Sequence, residues 1–394
     1  MRRSDMNRLS KKEQKVRAAF VYSDRFGAFY YGTEHPMKPV RLRLTGELIG
    51  ALGLDKLPSS RMVEARSATE QELLLFHTPE YIKVLKEANT GIIPVDGSQH
   101  GLGYADNPVF NGVFEWSALC AGASLQAAEL VAEGKADVAF NISGGLHHAM
   151  PNRASGFCYI NDAAIAIKYL VGLGKRVAYV DIDAHHGDGV EFAFYDTNRV
   201  LTLSVHESGQ WLFPGTGLVT DIGVNSGKGF AVNMPLPPST GDAVFLKAFD
   251  EVVQPIIEEF QPDILVTQLG VDSFETDPLT HLSLTTNSFE KAVERFRAMN
   301  IPWAALGGGG YDLSNVSRAW TLAWAIMNDV TAPNIIPAEF MKINGSIFRN
   351  AFLRDIPIAP YMLSPEELST LEADMAYLKK TVLPLIRNAK EEQA

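Results

Sequence analysis

Two kinds of apolar pattern alternate along this chain. Short continuous runs come first: "RAAFVYS" (17–23), "DVAFNIS" (137–143), "RVAYVDID" (176–183), "RVLTLSV" (199–205), "DILVTQL" (263–269) and "PWAAL" (302–306). Between them lie longer stretches whose apolar positions recur at helical spacing: "FEWSALCAGASLQAAELVAEG" (114–134), "NDAAIAIKYLVGLG" (161–174), "GDAVFLKAFDEVVQPIIEEF" (241–260), "NSFEKAVERFRAM" (287–299) and "NVSRAWTLAWAIM" (315–327). The runs read as strands and the longer stretches as helices. Gly134 should stop the first helix, and Gly172 or Gly174 the second. Strands joined through helices of ten or more residues need crossover connections. They form a parallel sheet covered on both faces. Nothing from 18 to 330 reads as a linker, a repeat or a low-complexity tract. The pattern predicts one large α/β domain there, a basic tail over 1–17 that is expected to be mobile, and a segment over 331–394 that packs on the same domain, with a late helix from about Ser364.

Composition narrows the class. The chain has 394 residues, 46% hydrophobic and 21% charged, which suits a globular protein with a large core. Its net charge is -11, unevenly placed. Residues 1–17 hold seven basic and two acidic side chains, leaving 28 basic against 44 acidic in the rest. An acidic body argues against nucleic-acid and anionic-membrane partners. No apolar run reaches the ~18 residues of a membrane span, and no apolar segment follows the basic tail as in a secretory signal. Two cysteines, Cys120 and Cys158, make neither a disulfide framework nor a cysteine-rich zinc site. A cytoplasmic enzyme is expected.

The chemistry collects where strands end. Ligands of parallel sheets bind beyond the carboxyl ends of the strands, and four such ends here carry unusual residues: "GGLHHAM", "DIDAHHGDG", "GVDSF" and "GGGGYD". Four of the nine histidines fall there as two doublets. Asp183 and His185 stand two apart, so in an extended segment they share a face. With Asp272 from another strand end they offer two carboxylates and one imidazole, a set suited to Zn²⁺ or Fe²⁺ with positions left open. A rim of hydrogen-bonded charges is the alternative. His147 and His148 follow a glycine pair that must turn the chain if both are to face one site, where they would divide acid and base work. Asp181 and Asp188 are natural carboxylate partners for the histidines. The four glycines 307–310 present Tyr311, either as a hydrogen-bond donor to an oxyanion or as a packed core ring.

Together "SGGLHHAM", "ASGFCYINDAA", "YVDIDAHHGDG", "HESGQWLFPGTG", "GVDS" and "GGGGY", with "HPMKPVRLR" near the start, resemble the zinc-dependent histone deacetylase family. "DPLTHLSL", the length and the C-terminal segment are most similar to bacterial acetoin utilization deacetylases. The resemblance implies an arginase-like α/β fold with an eight-stranded parallel sheet and helices on both faces. It implies hydrolysis of N-ε-acetyl-lysine in proteins, with acetylated enzymes such as acetyl-CoA synthetase as candidate substrates. Acetylpolyamines or other small amides are the alternative. It makes Asp183, His185 and Asp272 the metal ligands. His147, paired to Asp181, becomes the general base, and His148, paired to Asp188, the charged proton donor to the leaving amine. Tyr311 would polarise the acetyl carbonyl. Gly156 and Gly309 would contact substrate, Phe157, Phe213 and Leu279 would wall the channel, Asp106 would grip the substrate backbone, and Arg41 would lie by an inner acetate channel. Structural K⁺ would bind at Asp181, Asp183, His185, Ser204 and Val205, and at Phe194, Thr197, Val200 and Phe230. Arginases hold two metals, but Gly187 and Phe274 stand where further ligands would be needed, so one catalytic ion is expected. The sequence around Phe274 and Glu275 departs from the family and is expected to form part of the substrate rim.

Overall fold

The structure, a computed structural model, describes residues 16–104, 106–358 and 362–391. Eight strands form one parallel sheet: β1 (Val16–Tyr22), β2 (Ser60–Glu64), β3 (Ala136–Asn141), β4 (Val177–Asp181), β5 (Val200–Glu207), β6 (Ala231–Leu236), β7 (Ile264–Gln268) and β8 (Trp303–Leu306). Their spatial order is β2-β1-β3-β8-β7-β4-β5-β6, and every neighbouring pair is parallel. The expected eight-stranded parallel sheet is therefore present.

Burial follows position in the sheet. Every residue of the central strands β4, β7 and β8 is buried. Such strands need continuous apolar runs, which is how they read in the sequence. The edge strand β2 ("SRMVE") is half exposed along its length. The other edge strand, β6, contains Pro235, which cannot donate to a ladder and is tolerated at an edge. Neither edge strand is predicted by the apolar pattern. A helix that the pattern also misses, Val40–Ala51, buries Leu42, Leu44, Leu48 and Ile49.

Helix ends follow local chemistry. The Asn161 side chain accepts from Ala164 N at 2.9 Å and caps the helix Asp162–Gly172. Asp312 accepts from the N–H groups of Ser314 and Asn315 and caps Leu313–Met327. Gly134 and Gly174, both at positive φ, follow the helices that the sequence ends there. The helix expected over 241–260 is present, interrupted by one π turn at Phe249–Val253.

At the start, β1 already includes Val16 and Arg17, and Arg17 pairs with Asp329. The remainder of the basic tail lies outside the described residues. At the other end, Ser364 and Glu367 form a reciprocal cap ahead of the helix Pro365–Glu391. That helix buries Leu371, Met375, Leu378, Val382 and Ile386 in the same core as the sheet. Lys379–Glu251 and Arg387–Glu259 ion pairs flank the contact.

Candidate active site

The site sits beyond the carboxyl ends of β3, β8, β7 and β4, the four middle strands. β4 ends in Asp181, and the turn after it delivers Asp183 and His185. β7 leads to Asp272. Nδ1 of His185 lies 3.1 Å from Asp183 Oδ1 and 3.0 Å from Asp272 Oδ2, so three potential ligand atoms converge. All three side chains are buried. The outer carboxylate oxygens are taken up by the fold: Asp183 Oδ2 accepts from Gly309 N at 2.7 Å and from Gln268 Nε2, and Asp272 Oδ1 accepts from Ala184 N at 2.9 Å. The inner oxygens are left facing the imidazole.

This arrangement fits a cation. Burial and the neighbouring Asp183 push the Asp272 carboxyl up to about 6. Burial opposes charge on Asp183 as well, but His147 and His185 hold it well below the usual carboxylate range. Burial would discharge His185, and the two carboxylates overcome it and raise the imidazole well above its ordinary value. Two buried carboxylates beside each other need positive charge, which a bound cation would supply at those atoms. Among the described residues this is the one His/Cys/Asp/Glu group with metal-ligand geometry. A Cβ at Gly309 would lie 2.0 Å from Asp272 Oδ2, so only glycine lets the β8 loop close over the carboxylates.

The turn after β3 brings both histidines of its doublet to the same place. His147 Nδ1 meets Asp181 Oδ2 at 2.7 Å, His148 Nδ1 meets Asp188 Oδ1 at 2.7 Å, and the two Nε2 atoms are 3.0 Å apart. A single proton fits between those nitrogens. Burial lowers both rings. Asp181 and Asp183 then lift His147 to about 9, while burial and the charge on His147 press His148 down to about 4. The protein's own charges thus favour a charged His147 and a neutral His148. Asp181, its hydrogen-bond partner, contributes most to the rise at His147, and Asp183 adds to it. Burial also opposes charge on Asp188, but His148 holds it below the usual range.

Tyr311 enters from the β8 loop, half-buried, with burial and Asp272 holding its phenol well above the ordinary value. Its ring meets Phe157 edge-on at 5.6 Å. Phe157 and Gly156, both at positive φ, form the tip of a tight turn closed by reciprocal Ser155–Cys158 hydrogen bonds. Phe213 completes the walls, 5.0 Å from the His148 ring. Arg41 is buried and donates to the carbonyls of Gly310 (2.9 Å) and Gly308 (2.7 Å), behind the site. Asp106 is exposed, and its carbonyl lies 3.2 Å from Nε2 of His35, whose ring contacts Phe157. Leu279 is half-buried on the loop after Asp272.

The residues expected around monovalent ions are placed as follows. Ser204 lies across from Asp181 in the β4–β5 register, with Val205 next in the strand, and the Asp183 N–H donates to Asp181 Oδ1. In the second group the carbonyls of Phe194 and Phe230 accept from Thr197 N and Thr202 N, and Val200 opens β5.

One expectation is overturned. Phe274 is not at the rim: it is 2% exposed and packs against Phe289 in the core, with ring centroids 5.9 Å apart. Its backbone pairs with Leu284, which is itself buried. Glu275 next to it is exposed. His206 is likewise buried, between Ser204 and the carbonyl of Gly217, whereas Trp211 of the same region is 65% exposed.

Several supporting residues escape a reading by spacing. Asn161 Nδ2 donates to the carbonyls of His147 and Ala149, and fixes the histidine turn. Asp162, buried, accepts from Gly145 N (2.9 Å), Leu146 N (2.8 Å) and the Ser124 hydroxyl. Both lie in the quoted "GFCYINDAA", and an Asn-Asp pair opening a helix was the available signal. Met37 and Cys158 line the narrow cavity with no polar signal at all.

Comparison with known proteins agrees with this fold. The histone deacetylase domain model matches residues 35–327. Acetoin utilization protein AcuC of Bacillus subtilis is 41% identical over 332 residues, covering 82% of this chain and 85% of that protein. Histone deacetylase RPD3 of Saccharomyces cerevisiae is 41% identical over 343 residues, 86% of this chain and 78% of that one. The crystal structure of an HDAC homolog from Aquifex aeolicus superposes with a TM-score of 0.84 at 35% identity, over 92% of this chain and 100% of that one. On the shared sheet, the matched domain and this level of identity, the chain belongs to the histone deacetylase family.

Proposed function

We propose that the protein hydrolyses N-ε-acetyl-lysine in proteins or peptides to lysine and acetate, with Zn²⁺ or Fe²⁺ held by Asp183, His185 and Asp272. The observation that carries this reading is convergence: a ligand triad, two carboxylate-backed histidines and a phenol meet at the base of one aromatic-walled cavity. When bound, the ion supplies Lewis acidity toward the acetyl carbonyl and toward water.

The chain's own groups do the rest. Phe157 and Phe213 flank the four methylenes of the lysine stem and exclude water from it. Asp106 and the Gly156 carbonyl orient the substrate. The Tyr311 hydroxyl donates to the acetyl oxygen as charge develops there. His147 takes a proton from the attacking water, and His148 gives one to the departing amine. A cation at the ligand triad would offset the part of the rise at His147 that comes from Asp183. Arg41 lies toward the acetate end, and K⁺ at the β4–β5 site steadies the strand end that carries the ligands. The relationship to AcuC supports an acetylated metabolic enzyme, such as acetyl-CoA synthetase, as the physiological substrate.

The test is acetate release from an acetyl-lysine peptide and an acetylated polyamine, with and without a chelator. Chelator-sensitive turnover of the peptide is expected. Preference for the polyamine would move the substrate to small amides. Tyr311→Phe should retain metal and lose roughly 10²–10³ in rate, and full activity of that variant would remove Tyr311 from the reaction.

A further inference from the structure

Tyr311 is carried by a glycine loop that the fold holds through its backbone. The four glycines before it have no side chains to pack, and Gly308 and Gly310 sit at φ +146° and +133°. Such backbone is entropically costly to order. The Tyr311 hydroxyl makes no hydrogen bond within the described residues, and its ring packs against the core and meets Phe157 edge-on. The hydrogen bond at the Tyr311 N–H adds the one direct polar restraint on the residue itself among the described residues.

We infer that Asp277 is the positioning residue for Tyr311, and that it ties the phenol to the channel wall at Leu279. The Asp277 side chain is buried beside the site. Its Oδ2 accepts from Tyr311 N at 2.8 Å, and its Oδ1 accepts from Leu279 N at 3.0 Å. One carboxylate thus spans two loops, one following β7 and the other following β8. The same loops are joined once more: Thr276 Oγ1 donates to Asp312 and accepts from Asn315 Nδ2 at 2.8 Å. From beneath, the Asp277 N–H bonds to the carbonyl of Phe274, whose ring is locked in the core. The chain of contacts runs from the core through Phe274 and Asp277 to Tyr311.

The inference rests on the reading of Tyr311 as the oxyanion donor. An ångström of displacement at a catalytic group costs about 10²-fold in rate, so the hydrogen bond at Tyr311 N should register in turnover. A carboxylate that only satisfied its own turn at Leu279 would register in stability alone.

Asp277→Asn separates these roles. The amide keeps one acceptor oxygen and turns an NH₂ donor toward one of the two N–H groups. On an acetyl-lysine peptide, kcat should fall about 10–100-fold with KM and metal stoichiometry unchanged. In a Tyr311→Phe background the same change should cost less than about twofold, because the group it positions is gone. Hydrogen exchange at Tyr311 N–H should quicken at least about tenfold, while that of Gly309 N–H, held by Asp183, should not change. An equal loss of rate in both backgrounds, or an unchanged Tyr311 amide, overturns the inference. Should the asparagine variant not fold, Asp277→Glu keeps the carboxyl group and shifts the oxygens by a methylene, and the same readouts apply. If the wild-type protein hydrolyses neither substrate, the functional reading fails, and the exchange measurement still decides the positioning role.

Discussion

Acid should destabilise this protein through His77. The ring is buried, its Nε2 accepts the Asn161 N–H at 3.0 Å, and its Nδ1 lies 3.3 Å from the Pro151 carbonyl. An imidazole that accepts at one nitrogen must be neutral. Burial accordingly lowers it from 6.5 to about 4. In the unfolded chain it returns to the ordinary value. The folded state therefore binds fewer protons than the unfolded state between these values. The stability contributed by neutral His77 is complete above about pH 7 and is lost as pH falls from 6.5 toward 4. A gap of about 2.5 in pKa corresponds to about 3 kcal/mol at full expression, of which about 2 kcal/mol is already lost at pH 5. The assay compares urea unfolding of wild type and His77→Gln at pH 7 and pH 5. Glutamine accepts and donates at the same places without titrating. Other acids and bases titrate alike in both proteins, so the difference isolates His77. The wild type should lose about 2 kcal/mol more than the variant on acidification. Equal losses would show that the ring is not held neutral by Asn161. Because Asn161 also grips the carbonyls of His147 and Ala149, turnover should fail in the same pH range.

Other outcomes follow from single contacts. Phe274→Ala should cost about 3–5 kcal/mol of stability and leave the ranking of acetylated peptides unchanged. An intact melting temperature with altered substrate preference would return Phe274 to the rim. Gly309→Ala places a methyl between the carboxylates of Asp272 and Asp183, and should abolish metal binding measured by elemental analysis, with circular dichroism unchanged. Asp183→Ala should lose the metal as well, since it removes a ligand whose second oxygen also holds the Gly309 N–H.

What could be read in the sequence depended on how a residue acts. Strands buried on both faces write their position as apolar runs, and those of β3, β4, β5, β7 and β8 are plain. β2 and β6 lie at the edges, where polar residues and Pro235 are tolerated, so they leave no such mark. Asp183, His185 and the histidine doublets were legible because charged and imidazole groups rarely crowd a buried strand end. Asp277, Asn161 and Asp162 act by accepting or donating to loop backbone, and no spacing rule encodes which loop comes near. Phe274 shows the same limit: its place beside a ligand in sequence says nothing of the direction its ring takes.

The sheet order also governs how the enzyme comes into being. β8 is the last strand to be synthesised, yet it lies between β3 and β7. Before it arrives, no backbone ladder joins β2-β1-β3 to β7-β4-β5-β6, and each half presents an open edge at what will become the middle of the sheet. Exposed edges of this kind invite pairing with other chains. The histidine doublet at 147–148 belongs to one half and the ligand triad to the other. Without β8 in place, the histidine doublet and the ligand triad stand on two halves that no backbone ladder joins.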